Sequence, residues 1–285
     1  MSAAGRAESR TPLWTADREV KLSFVMPVYN EARTVAEAVR QVLAVEYPCP
    51  VELIVVDDGS TDTTSLELSV VGDPRVLVHR HPTNLGKGAA VRTGVRLATG
   101  THVLPFDADL EYSPEDVPRM LAPVCAGRCD VVYGTRLFGV NTVYQSYRYA
   151  MGNRFMTLVA NVLFDSYLSD LHSCLKMLPR ELFLSLRLRE TGFGLDTEIT
   201  ASLLRRGIRP FEVPVSYHSR THAEGKKISW KDGVACLQIL GRVRFARNRR
   251  PPNVEAVGVA TTVGTRRFLP GSPARDGDLP VSRIH

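Results

Sequence analysis

The stretch that decides the fold is Val51–Asp57 (VELIVVD), followed by Asp58-Gly59-Ser60-Thr61-Asp62. Four of its seven residues are β-branched or leucine in unbroken succession, so it reads as a strand buried on both faces. It ends in paired aspartates and an Asp-Gly turn signal. Working outward, short apolar runs alternate with segments of helical period. Strands are expected at 21–27, 75–79, 101–106 and 130–133. Helices are expected at 34–45, 62–69, 87–98 and 114–125. This βα alternation predicts an α/β fold, a mostly parallel sheet covered by helices on both faces. After residue 140 the pattern is mostly helical, with a late strand at 209–214 and a last helix at 232–247.

Composition bounds the rest. The chain has 285 residues, 44% hydrophobic and 23% charged, which excludes disordered and collagen-like classes. Its 36 basic and 30 acidic residues leave a net +6. Nine arginines against three acids between 242 and 285 account for that whole surplus. The body is neutral, which argues against a nucleic-acid partner, since that wants a basic folded face. Five cysteines without a C-x-x-C pair fit reduced thiols better than disulfides or zinc. No run approaches the ~20 apolar residues of a spanning helix. The expected organisation is a loose tail at 1–20, a structured body at 21–250 and a flexible, Pro/Gly-rich tail at 251–285. The expected location is cytoplasmic, peripheral at the inner face of the cell membrane.

In parallel sheets ligands bind at the carboxyl ends of the strands. Here those ends carry Asn30 and Glu31, Asp57 and Asp58, Asp107, Asp109 and Glu111, and Arg136. Clustered carboxylates raise one another's pKa unless a cation joins them. Asp107, Asp109 and Glu111 stand at i, i+2 and i+4, which in an extended segment puts them on one face. Their hard oxygens suit Mg²⁺ or Mn²⁺. Asn84–Gly94 (NLGKGAAVRTG) opens a helix with small residues. It matches neither the Walker loop nor the dinucleotide fingerprint, so ATPase and dehydrogenase readings fall away.

The ordered series PVYNE (27–31), VVDDGSTD (55–62), NLGKGAAVRTG (84–94), DADLE (107–111), GTR (134–136), DLHSCLK (170–176), GFGLDTE (192–198) and SRTHAEGKKISW (219–230) resembles family 2 glycosyltransferases of the GT-A fold. It is most similar to the polyprenyl-phosphate sugar transferases. The resemblance covers about 22–240 and implies a single Rossmann-like domain. It implies an inverting, metal-dependent transfer of a hexose from a nucleotide-diphosphate sugar (GDP- or UDP-linked) to a polyprenyl phosphate. The alternatives are transfer to a soluble or polysaccharide acceptor, or a catalytically silent nucleotide-binding protein.

Position by position, the resemblance implies that Pro27, Tyr29 and Glu31 line the nucleotide pocket. Val56 and Asp58 hold base and ribose. Asp107, Ala108 and Asp109 contact the nucleotide-sugar, with Asp109 and Glu111 on the metal. Arg136 faces the donor or the acceptor phosphate. Arg220 and Lys226 close over the phosphates, where paired cations suit a diphosphate. Lys176 stands where many relatives have arginine, keeping the charge without the bidentate fork. A hydroxyl acceptor would need a general base, with Asp196 or Glu198 the candidates; helix N-terminal charge complementing the dipole is the other reading of that pair. His172, His218 and His222 read as loop or packing residues. The segments 144–164 and 232–247 are read either as membrane-surface helices or as core-facing ones.

Overall fold

A computed structural model describes residues 19–136, 142–143, 147–219 and 230–246. In chain order the elements are β1 (Leu22–Val28), α1 (Val35–Ala44), β2 (Val51–Asp57), α2 (Thr64–Ser69), β3 (Val76–Arg80), α3 (Lys87–Leu97), β4 (His102–Pro105), α4 (Val117–Cys125) and β5 (Val132–Thr135). Then come β6 (Thr142–Val143), α5 (Tyr147–Phe164), β7 (Lys176–Pro179), α6 (Arg180–Ser185), α7 (Leu195–Arg205), β8 (Phe211–Pro214), β9 (Tyr217–His218) and α8 (Trp230–Phe245).

Seven strands form one sheet in the order β3-β2-β1-β4-β7-β5-β8. β1 pairs in parallel with β2 and β4, β2 with β3, and β5 with β8. β7 is antiparallel to both its neighbours. Sequence periodicity does not reveal β7: four residues with a lysine at their head carry no alternation to read. Among the described residues after 140 helices predominate, as expected; β7 is the added strand, and it wedges between β4 and β5.

The period-2 geometry of the strands divides the core. Leu22, Phe24, Met26 and Val28 of β1 point to one face, where they pack with Val35, Val39 and Val42 of α1 and Met120 and Leu121 of α4. Val25, Ile54 and Val56 point to the other, against Val91 and Val95 of α3 and Ile199 and Leu203 of α7. A third cluster joins α5, α7 and α8 through Met156, Ala160, Phe164, Leu204, Cys236 and Leu240. Helices therefore cover both faces, and the carboxyl ends of β1, β2, β3, β4 and β5 share one edge. Antiparallel β7 brings its first residue, Lys176, to that same edge.

Candidate active site

The ends of β1 and β2 are laced together by short side chains. The Asn30 amide donates to Ser60 Oγ at 3.0 Å, and the Thr61 amide donates to Asn30 Oδ1 at 2.9 Å. The Glu31 amide donates to Thr64 Oγ1, and the Glu31 carboxylate accepts from Thr34. Asp57 is buried. Burial alone would raise its pKa, but hydrogen bonds from Ser60 and Ser65 and the charge of Arg80 hold it below the ordinary value.

Asp58 organises the next loop. Its Oδ1 lies 2.7 Å from His81 Nδ1 and accepts from the Leu85 amide, and its Oδ2 accepts from the Gly86 amide at 2.7 Å. The loops can meet only because two positions lack a side chain. Gly59 has φ +72° and a Cβ there would lie 2.5 Å from the Thr83 carbonyl carbon; Gly86 has φ +95° and its Cβ would lie 2.4 Å from Thr191 O. Asp58 is thus a loop-fixing carboxylate with most of its capacity committed inside the protein. Val56 is fully buried in an inner strand and packs on α3, so its side chain does not reach a base. Pro27 is buried, and Tyr29 is half-buried just beyond β1.

Four charged groups converge between β4, β7, α3 and α7. Lys87 Nζ donates to Asp107 Oδ2 at 2.7 Å and lies 3.9 Å from Asp196 Oδ2. Lys176 Nζ lies 3.9 Å from Asp196 Oδ1. Lys176 is fully buried; it donates to the carbonyls of Leu171 (2.9 Å) and Ser173 (2.5 Å) and sits 5.0 Å over the Tyr133 ring. Burial pulls the Lys176 pKa down, and the facing Asp196 and Asp170 oppose that pull without cancelling it. Asp196 is therefore flanked by two lysines.

Glu198 is placed otherwise. Two residues along an α-helix turn it to another face, where it accepts from the amides of Arg189 (2.8 Å) and Glu190 (2.9 Å) and from Arg242 (2.9 Å). It holds α8 and the loop before α7, and of the two expected base candidates only Asp196 stands with the charged cluster.

The DADLE segment departs from the extended shape assumed for it. It is a turn with Leu110 at φ +61°, and the Glu111 amide donates to Asp109 Oδ1 at 3.1 Å. Glu111 is drawn away to accept from the Tyr217 hydroxyl at 2.8 Å. Asp107 is held by Lys87, and Ala108 is buried. Among the described residues no three His, Cys, Asp or Glu side chains gather as a metal-holding group. The extended, one-face arrangement expected for Asp107, Asp109 and Glu111 is not seen: the segment turns at Leu110, and Glu111 reaches Tyr217 of β9.

Arg136, expected to face a phosphate, is mostly buried and bound to Asp170 through Nε (2.7 Å) and Nη2 (2.8 Å), and its guanidinium lies 4.9 Å over the Tyr217 ring. Burial alone would raise Asp170, but Arg136 and Asn153 drive it well below the carboxylate range. Asn153 also bonds His172 Nδ1 at 2.9 Å, and His172 Nε2 lies 3.2 Å from Thr197 Oγ1. The packing role expected for His172 takes this form: it joins α5 to α7. Arg220, Lys226 and His222 lie outside the described residues, directly after β9. Asp170, His81, Lys87 and Asn153 escaped the sequence reading as site residues. Only Lys87 carried a signal, as the one charge in a run of small residues.

Residues 23–186 match the family model described as Glycosyl transferase family 2. Glycosyltransferase AglJ of Haloferax volcanii is 31% identical over 69% of this chain and 63% of its own length. Low-salt glycan biosynthesis hexosyltransferase Agl6 of the same organism is 28% identical over 78% of this chain and 54% of its own. A dodecaprenyl-phosphate galacturonate synthase of Rhizobium johnstonii is 35% identical over 42% of this chain and 37% of its own. The chain thus spans between about a third and just under two thirds of these relatives' lengths. Among solved structures, glucosyl-3-phosphoglycerate synthase from Mycobacterium tuberculosis superimposes with a TM-score of 0.61 at 22% identity, over 81% of this chain and 86% of that one. That likeness is one of fold, and the fold is GT-A. With more than half of the chain inside the family model and the acidic strand ends on one sheet edge, this chain belongs to glycosyl transferase family 2.

Proposed function

We infer that the chain transfers a hexose from a nucleoside-diphosphate sugar to a polyprenyl phosphate. The observation that carries the reading is Lys87, held between Asp107 and Asp196 where β4, α3 and α7 meet. That edge offers carboxylates for a cation and a cationic side chain beside them, as a diphosphate leaving group requires. The acceptor class is supported by the galacturonate synthase named for dodecaprenyl phosphate.

Asp107 and Asp109 fit a hard divalent ion: their donors are carboxylate oxygens, and Mg²⁺ is commonly held by one or two carboxylates together with substrate phosphates. Mg²⁺ or Mn²⁺ bound there supplies charge neutralisation for the departing diphosphate; solved relatives of this fold contain Mn²⁺ with UDP. Lys87 fixes the Asp107 carboxylate. Asp58 sets the 83–86 loop against the donor side, and the resemblance assigns Arg220 and Lys226, outside the described residues, to the diphosphate. A phosphate oxygen of the acceptor attacks the anomeric carbon opposite the diphosphate. The C–O bond to the diphosphate breaks as the new one forms, inverting the centre. The nucleophile is already anionic and needs no proton removed, so Asp196 serves to hold Lys87 and Lys176. No described helix is long and apolar enough to cross a membrane.

The test is incubation with labelled GDP- or UDP-sugars and a polyprenyl phosphate, followed by organic extraction. Label in the organic phase, dependent on Asp109, is expected. Label moving only to water-soluble products would replace this reading with a soluble acceptor.

A further inference from the structure

α5 is apolar on two opposite sides, and only one of them is packed. Successive helical residues are about 100° apart. Met156, Thr157, Ala160 and Phe164 are buried against α7 and α8. On the other side Tyr147 (78% exposed), Met151, Phe155 (58%), Leu158 (59%) and Val162 (75%) fall within an arc of about 80°. The stripe runs about 22 Å along the helix. A scatter of single exposed apolar residues is ordinary, but a continuous stripe marks a surface that docks.

The charge around the stripe selects the partner. Residues 147–164 contain Arg148 and Arg154 and no Asp or Glu. Arg244 of α8 leans onto the end of α5, its Nε donating to Leu163 O at 2.7 Å. Two copies of such a face would bring like charges together, whereas anionic headgroups would neutralise them. The inner side of the same helix reaches the site, since Asn153 bonds both Asp170 and His172.

We propose that the outward face of α5 lies in the headgroup region of an anionic bilayer, with Tyr147, Phe155, Leu158 and Val162 as its apolar anchors. An apolar face with cationic flanks is the composition of a helix that lies in an interface plane. The proposal rests on the lipid-acceptor reading above: it gives that acceptor a route, with its chain in the bilayer under α5 and its phosphate at the Asn153 side of the same helix.

The test is co-sedimentation of the full chain with vesicles of phosphatidylcholine alone and vesicles carrying phosphatidylglycerol. The chain is expected to bind the anionic vesicles. The double variant Phe155→Glu/Leu158→Glu should lose binding by at least about tenfold, as the loss of two buried apolar side chains implies. A control pair, Leu66→Glu/Val70→Glu, exposed on α2 and directly after it, should bind as the parent does. Equal binding by the α5 variant, or equal loss in the control, overturns the proposal. So does a parent that is dimeric in solution and becomes monomeric in the α5 variant, which assigns the face to a second copy. Transfer to a short-chain polyprenyl phosphate in detergent, measured alongside, should be the same for parent and α5 variant. A parent inactive there sinks the acceptor reading, while the vesicle result still decides the surface.

Discussion

Lys87 and Asp107 form an ion pair of 2.7 Å in which each side chain is less than a fifth exposed, so the first residue of α3 is bonded to the residue that opens the DADLE turn. Burial alone would make the lysine easier to discharge, but Asp107 and Asp196 more than reverse this and hold it firmly charged.

Replacing Lys87 by Met leaves Asp107 and Asp196 without the cation between them. Donor turnover should fall about 10²-fold, the scale for removing one group that stabilises transition-state charge. The melting curve should show that the fold survives. A kcat/KM within twofold of the parent would remove Lys87 from the machinery.

Asp109→Asn tests the second aspartate of the DADLE turn, proposed above to share a divalent ion with Asp107. The parent should melt at a higher temperature with UDP or GDP plus Mn²⁺ than with either alone. The variant should lose that synergy and about 10²-fold in turnover. Synergy retained in full would place the cation elsewhere.

Asp170→Asn leaves the Arg136 guanidinium buried without its counter-charge. Breaking one side of such a pair costs about 3–5 kcal/mol, read as a shift in the urea midpoint. Adding Arg136→Met to the same chain should restore a large part of it, because the uncompensated charge is then gone.

His172 supplies a pH dependence. Burial first, and the nearby Lys176 second, push its pKa from 6.5 down to about 4. The folded state therefore excludes a proton that the unfolded chain takes up below 6.5. Stability from this group is complete above that value, falls as pH drops from 6.5 to about 4, and is flat below. The full loss is roughly 3 kcal/mol. Denaturation midpoints of His172→Gln should be flatter across that window than those of the parent.

Much of the scaffold and the acidic strand ends were legible because they rest on local rules. Val51–Asp57 reads as a buried strand from its own residues, and a parallel sheet brings Asp58, Asp107 and Arg136 to one edge whatever the loops do. The reading failed where shape depended on distant residues. Glu111 was assigned by an i+4 rule that holds only in extended backbone, and Leu110 is left-handed there. The pairing of Arg136 with Asp170, 34 residues away, has no sign in the sequence, whereas the resemblance points Arg136 only toward a phosphate.

The sequence by itself determined the α/β alternation, the acidic edge and the family, since short-range periodicity and ordered motifs need no knowledge of packing. Only the tertiary structure decided which charges are partners. Lys87 with Asp107, Arg136 with Asp170 and the two lysines around Asp196 are contacts between elements 20 to 109 residues apart. The same holds for α5, where apolar residues lie all round the helix. Periodicity cannot tell a packed side from an open one, and only the placement of α7 and α8 leaves Phe155 and Leu158 facing outward.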